Sequence, residues 1–203
     1  NQVYRQLDVL LTDDDLIGES AYNPMLAPVV ERLREAKLLE ESDGAEVVFV
    51  DGFTNRDNEP LPLIIRKGDG GYNYATSDLA CVIDRVERIG ARSLLYVVGA
   101  PQAQHLQMVE AVARKAGWLP EGFIMNHVSF GSVLGADRKM LKSRSGGETV
   151  KLNALLDEAV ERAEVAVAEK NPEMSSADRT AVATVVGIGA VQYSDLCSDR
   201  VND

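Results

Sequence analysis

The sequence predicts an α/β fold built on a parallel sheet, with a small β insertion before it and helices after it. Three observations predict this. Leu94-Leu95-Tyr96-Val97-Val98 is a continuous apolar run of strand length. Gln102 to Ala116 reads as a helix and Phe123 to Phe130 as a second strand, a strand-helix-strand unit that implies parallel strands and a right-handed crossover. The stretches Leu152 to Lys170 and Ser175 to Leu196 both show helical apolar spacing, with Asn171-Pro172 punctuating between them.

The earlier elements follow in order. Leu26, Val29, Val30, Leu33 and Leu38 recur at near-helical spacing, which predicts a helix over Pro24 to Leu39 with the proline tolerated in the first turn. Glu46-Val47-Val48-Phe49-Val50 and Leu63-Ile64-Ile65 are short, apolar and β-branched. The polar stretch Asn55 to Pro60 separates them, so an antiparallel pair is expected. Gly68-Asp69-Gly70-Gly71 makes a turn, Tyr72 and Tyr74 alternate as on a strand, and Ser77 offers a cap for a helix through Ile89.

At 203 residues, 45% hydrophobic and 26% charged, the composition is that of an ordinary globular chain: one domain with an appended helical region. No apolar run approaches the roughly 20 residues of a membrane span, so no membrane association is expected. Cys81 and Cys197 are the only cysteines, far apart, so neither a disulfide framework nor a paired-cysteine metal site is indicated, and a reducing, cytoplasmic setting fits best. The chain opens Asn1-Gln2-Val3 without Met or a secretory signal and closes on Arg200-Val201-Asn202-Asp203, which reads as an excised piece. A net charge of -11 disfavours nucleic acid over most of the surface, because phosphate contacts need clustered Lys and Arg. The basic residues concentrate once, in Arg138-Lys139-Met140-Leu141-Lys142-Ser143-Arg144.

That cationic run lies between glycines, Gly135 before it and Gly146-Gly147 after it. Such a loop could fold over a triphosphate and stabilise charge on departing pyrophosphate, and the competing reading is a solvated surface loop. In open α/β sheets ligands bind beyond the carboxyl ends of the strands, here Gly99 to Gln104 and Ser129 to Gly135. His105 would fall in the first helical turn after one strand, where backbone N–H groups favour anions, and His127 on the next strand. Two histidines lack a third ligand at the usual spacing, so no zinc site is expected. Tyr74 and Asp78 flank the strand-to-helix junction, where a carboxylate caps a helix or pairs with a planar guanidinium. Gln102 could add a neutral hydrogen bond to the same ligand.

Three stretches together, Gly71-Tyr72-Asn73-Tyr74-Ala75-Thr76-Ser77-Asp78-Leu79-Ala80, Tyr96 through His105, and His127 through Gly135, resemble the arginyl-tRNA synthetases. Asp51-Gly52-Phe53, Arg66-Lys67, Arg144-Ser145-Gly146, Thr149 to Leu152 and Ile188 to Leu196 look like the same family in the same order. The resemblance covers nearly the whole chain. It implies a Rossmann-type class I catalytic domain that activates arginine with ATP, as its magnesium complex in the full enzyme, and passes arginine to its tRNA. It further implies that Tyr74, Asp78 and Gln102 hold arginine, with Asp78 facing the guanidinium. His105, His127 and the Phe130 to Val133 segment, Gly131 included, match the region lining the ATP site. Lys139 through Lys142 resembles a degenerate form of the class I Lys-Met-Ser-Lys-Ser signature, which makes Lys139, Lys142 and Arg144 the catalytic candidates.

The other class I signature, a His-Ile-Gly-His-like element, is found nowhere in the sequence. The expectation is therefore an arginine-tRNA ligase catalytic fragment, inactive alone because the chemistry needs positioned groups from both halves of the ATP site. The alternatives are a free-standing paralogue that binds arginine, adenylate or a partner without aminoacylation, and an unrelated nucleotidyl transferase. On this reading residues 1–45 form an N-terminal α/β segment of the catalytic core and 46–75 the β insertion. Residues 76–150 form the C-terminal half of the Rossmann domain with its cationic loop, and 151–203 a helical extension. Open strand edges predict an edge-mediated dimer.

Overall fold

The structure is a computed structural model, and the residues it describes are 2–131 and 152–200. In chain order these form α1 (Gln2–Gln6), 3-10 turns over Asp13–Asp15 and Glu19–Met25, α2 (Leu26–Glu35), β1 (Glu40–Ser42), β2 (Ala45–Thr54) and β3 (Pro60–Arg66). There follow α3 (Tyr74–Ile83), prolonged by a π-helical turn over Asp84–Arg88, β4 (Ser93–Gly99), a 3-10 turn over Ala100–Gln102, α4 (Ala103–Lys115), β5 (Ile124–Phe130), α5 (Leu152–Lys170) and α6 (Ser176–Cys197). The chain divides into two compact units, Ile17–Phe130 and Asn1–Leu16 together with Gly131–Asp203.

In the first of these, the expected antiparallel pair is present as β2 and β3, and β1 adds a third strand outside β2. Apolar patterning gave no sign of β1, because Glu40-Glu41-Ser42 is acidic and mostly exposed. What makes it a strand is the two-residue turn Asp43-Gly44, both with positive φ (50° and 77°), which suits the right-handed twist of a hairpin. The helix expected from Pro24 begins instead at Leu26. Pro24 lies inside the preceding 3-10 turn, and the helix closes where Lys37 turns left-handed at φ 57°. Its buried side is Val29, Val30 and Leu33.

The junction before α3 also differs from expectation. Tyr72 makes only an isolated bridge to Arg66, and the helix starts at Tyr74, capped by Asn73 rather than Ser77. The turn after β3 explains this. Gly70 takes φ 84°, the Lys67 amide donates to the Gly71 carbonyl, and the chain is reversed too early for a further strand. The Asn73 side-chain oxygen then accepts from the Tyr74 amide at 2.9 Å, and the fully buried Thr76 hydroxyl donates to the Ile65 carbonyl, pinning the helix start to the end of β3.

β4 and β5 pair in parallel, with Ser93 opposite Ile124 and Gly99 opposite Phe130, around the α4 crossover. One face of this pair, with Leu94, Tyr96 and Met125, packs on the core formed with Leu79, Val82, Val109 and Val112. The other stays open: Leu95, Val97, Ile124 and Phe130 are 64%, 65%, 55% and 44% exposed.

The second unit is dominated by α5 packed on α6. Ser175 caps α6 by accepting from the Asp178 amide. Against the expectation from apolar runs, α6 is long and apolar enough by length and composition to cross a membrane. It nevertheless carries Asp178, Arg179 and Asp195, and buries Ala183, Gly187 and Ile188.

Candidate functional site

The starts of α3 and α4 bring three of the sequence candidates, Tyr74, Asp78 and His105, into contact, with Gln102 at the end of the turn that leads into α4. Tyr74 and Asp78 are four residues apart on α3 and so share a face. On the neighbouring element, Gln102 closes the 3-10 turn after β4 and is exposed, and His105 follows in the first turn of α4. His105 Nε2 lies 2.6 Å from Asp78 Oδ2, and the Tyr74 and His105 rings pack 4.5 Å apart at 51°. The His105 side chain is only 11% exposed and that of Asp78 32%, so the carboxylate is the part of the pair that solvent and ligands can reach.

Next to the pair lie buried polar groups whose charges reach one another. Cys81, one turn beyond Asp78, is buried, and burial pushes its thiol above the ordinary range, as it does the Tyr22 phenol. Burial likewise raises Tyr96 to about 12, with the nearby Arg85 charge pulling the other way. The Arg85 guanidinium stands 5.4 Å from the Tyr96 ring centroid and close enough to the buried hydroxyl to oppose its upward shift, without a well-formed hydrogen bond between them. Such a cation over a ring face is favourable, the more so when water is thinned out.

On the other side of Tyr74 opens a cleft of about 340 Å³ lined by Glu19, Asn23, Tyr72, Asn73, Tyr74 and Ser77 among others. The Ser77 hydroxyl lies 2.8 Å from both Glu19 Oε1 and the Tyr74 carbonyl oxygen, so its single proton serves one acceptor or the other, and through Glu19 it ties the Glu19 turn to the helix start. Sequence reasoning did not single out Glu19 or Asn23. They sit in a 3-10 turn without periodicity, and only the fold brings that turn beside Tyr74.

The remaining candidates lie elsewhere. His127, opposite Tyr96 on β5, donates from Nε2 to the Val98 carbonyl at 2.9 Å, a tie between the two parallel strands. Phe130 ends β5 and is exposed. Gly131 belongs to the other unit, where its amide donates to the Arg200 carbonyl at 2.7 Å. Val133, Lys139, Lys142 and Arg144 lie outside the described residues. Among the described residues no three His, Cys, Asp or Glu side chains converge as metal ligands would.

The family model for the catalytic domain of class I tRNA synthetases of the arginine type matches residues 1–203. The chain belongs to this family. Among curated relatives, the arginine-tRNA ligase of Thermobifida fusca is 56% identical over 196 residues, 97% of this chain and 34% of that protein. The arginine-tRNA ligase of Shigella dysenteriae is 50% identical over 204 positions, 100% of this chain and 35% of that protein. Among solved structures, the arginyl-tRNA synthetase of Plasmodium falciparum superposes with a TM-score of 0.81 at 28% identity, covering 100% of this chain and 32% of that one. The Thermus thermophilus arginyl-tRNA synthetase, at 18% identity and a TM-score of 0.77 over 99% of this chain and 38% of its own, shares the fold. The chain thus spans about a third of the length of the synthetases it matches.

Proposed function

We propose that this chain is the arginine-holding part of an arginine-tRNA ligase. The whole enzyme would activate arginine with ATP, as its magnesium complex, to arginyl-adenylate and transfer it to tRNA in the cytoplasm. The observation that carries the reading is the Asp78 carboxylate, accessible at the head of α3 beside Tyr74, with Gln102 and His105 at the head of the adjoining α4. A carboxylate matches a guanidinium in a planar two-point geometry that an ammonium cannot reproduce, so this arrangement suits arginine better than lysine. Family membership and the identity to arginine-tRNA ligases support the same substrate.

Within the proposal, Tyr74 and Gln102 help hold arginine. His127, Phe130, Gly131 and Val133 contribute to the ATP side, and Lys139, Lys142 and Arg144 supply charge to the departing pyrophosphate. Adenylate formation depends on groups positioned on both sides of the triphosphate, and roughly two thirds of the relatives' length falls outside the match. The chain alone is therefore expected to bind arginine without activating it at a useful rate. Its open strand edge and the exposed Leu95 and Val97 face favour pairing with a second copy when nothing else covers them.

Isothermal titration of L-arginine into the chain, with lysine and citrulline alongside, tests the reading. Arginine should bind, lysine and citrulline should bind at least about tenfold more weakly, and Asp78→Asn should abolish the preference, since a lost charged hydrogen-bond partner is worth about 1.5–3 kcal/mol. A folded chain that binds all three alike would refute it.

A further inference from the structure

We propose that His105 is a positioning residue: its imidazole fixes the plane of the Asp78 carboxylate so that one edge is presented to a guanidinium. The proposal rests on the arginine reading of Asp78 and assigns His105 to the amino-acid side of the site rather than to the nucleotide.

The chemistry of the pair sets its direction. An ionised carboxylate only accepts hydrogen bonds, so at 2.6 Å the proton between the two groups sits on His105 Nε2, and Nε2 donates to Oδ2. An aspartate's terminal torsion is broad and two-fold, and a carboxylate a third exposed on a helix surface would otherwise rotate freely. One strong bond to Oδ2 removes that freedom while using a single lone pair. Oδ1 and the second lone pair of Oδ2 remain for two parallel N–H donors, which is what a guanidinium brings and an ammonium does not.

The imidazole can do this because it is itself held. It is nearly buried, the Tyr74 ring packs against it at 4.5 Å, and the helix that carries it is anchored one residue later by Leu106 and then by Val109 in the core. The order of a packed helix is thus passed through one side chain to the carboxylate. Positioning of this kind matters in proportion to how directional the ligand's contact is. It should therefore affect arginine more than a ligand that needs only nearby negative charge.

The test uses the full 203-residue chain and L-arginine as probe, with lysine as the less directional cation. His105→Phe keeps the ring contact and removes the donor; His105→Gln removes the ring and keeps an N–H at the reach of Nε2. Arginine affinity should fall about tenfold or more in His105→Phe and stay within about threefold of wild type in His105→Gln, with lysine binding little changed in either. Thermal unfolding of both variants shows that each is folded. In parallel, nitrogen-15 spectra of the two histidines in their neutral forms should show His105 protonated on Nε2, and Asp78→Asn should alter that signal but not the one from His127. Unchanged arginine affinity in His105→Phe, failure of His105→Gln to rescue, or a His105 proton on Nδ1 overturns the positioning role while leaving the arginine site standing. A folded wild-type chain that takes up no arginine defeats the arginine site itself, and the positioning role falls with it.

Discussion

Gly187 of α6 passes Ala159 of α5 with no room between them: a Cβ at Gly187 would lie 2.7 Å from the Ala159 carbonyl oxygen and 2.8 Å from the Val160 Cα. These are backbone atoms, which cannot swing aside as a side chain would. The two helices meet here because the residue at the crossing has no side chain. Gly189, two residues on, has nothing within 4 Å of such a Cβ.

The two glycines therefore respond oppositely to alanine. Gly189→Ala should stabilise the chain by up to about 1 kcal/mol, the propensity difference between glycine and alanine in an exposed helix. Gly187→Ala gains the same propensity but forces the helices apart, and overpacking of a close contact costs about 1–3 kcal/mol or more, so the net effect is a loss. Chemical denaturation of the two variants measures the difference, and a Gly187→Ala variant as stable as Gly189→Ala would mean that the crossing is looser than described.

A second prediction concerns the join between the antiparallel sheet and α3. Thr76 is fully buried, and its hydroxyl satisfies the Ile65 carbonyl at the end of β3. Thr76→Val keeps the volume and removes the donor, leaving the Ile65 carbonyl with the Asn73 amide alone at 3.2 Å, so the cost is that of one hydrogen bond, about 0.5–1.5 kcal/mol. Thr76→Ser keeps the bond and gives up a methyl group worth roughly 1 kcal/mol. Both variants should fall below wild type by about 1 kcal/mol in urea denaturation; a Thr76→Val chain as stable as wild type would show that the Asn73 amide satisfies the carbonyl alone.

What the sequence revealed and concealed follows from the kind of signal each element carries. β4 was legible as an apolar run of strand length although only one of its faces is covered, the helix after it by its apolar spacing, and α5 because its ends coincide with the periodic run. β1 was hidden because Glu40-Glu41-Ser42 has no apolar face to betray it, although Asp43-Gly44 was a readable hairpin turn. Ser77 was a plausible cap by type, yet Asn73 took the role because the Lys67–Gly71 reversal, a matter of backbone dihedrals, decides where the chain can begin to coil. Tyr74, Asp78, Gln102 and His105 could be named from their positions at helix starts. That His105 bonds to Asp78 could not, since helix starts 27 positions apart meet only through the packing of α3 on α4.

The exposed face of the β4 and β5 pair leads to a third prediction. Leu95 and Val97 are each about two thirds exposed on neighbouring turns of one strand face, with Ile124 beside them. Patches of this kind associate when uncovered. Sedimentation of the chain should show concentration-dependent self-association, and Leu95→Lys with Val97→Lys should shift it toward monomer without lowering the unfolding temperature. A wild-type chain that stays monomeric at high concentration would refute this.

The last prediction comes from Tyr96, whose hydroxyl is buried without a well-formed hydrogen bond among the described residues and whose ionisation burial moves from the ordinary value of 10.0 to about 12. In the folded chain the neutral phenol is favoured, so above pH 10 the unfolded chain gives up this proton first. Between pH 10 and about 12 the folded state binds more protons than the unfolded one, and stability must fall as pH rises through that window. Below it the group contributes no slope. Tyr96→Phe removes the titration and a hydroxyl that only the Arg85 guanidinium approaches, so the variant should stay within about 1 kcal/mol of the wild type at neutral pH. It should also lose stability less steeply between pH 10 and about 12. Phenolate absorbance near the alkaline unfolding transition, compared between wild type and Tyr96→Phe, checks the first half of this claim and urea denaturation at neutral and alkaline pH the second. A Tyr96 that ionises with the exposed tyrosines would mean that water reaches its oxygen, and the buried polar groups next to Asp78 would then be wetter than their packing indicates.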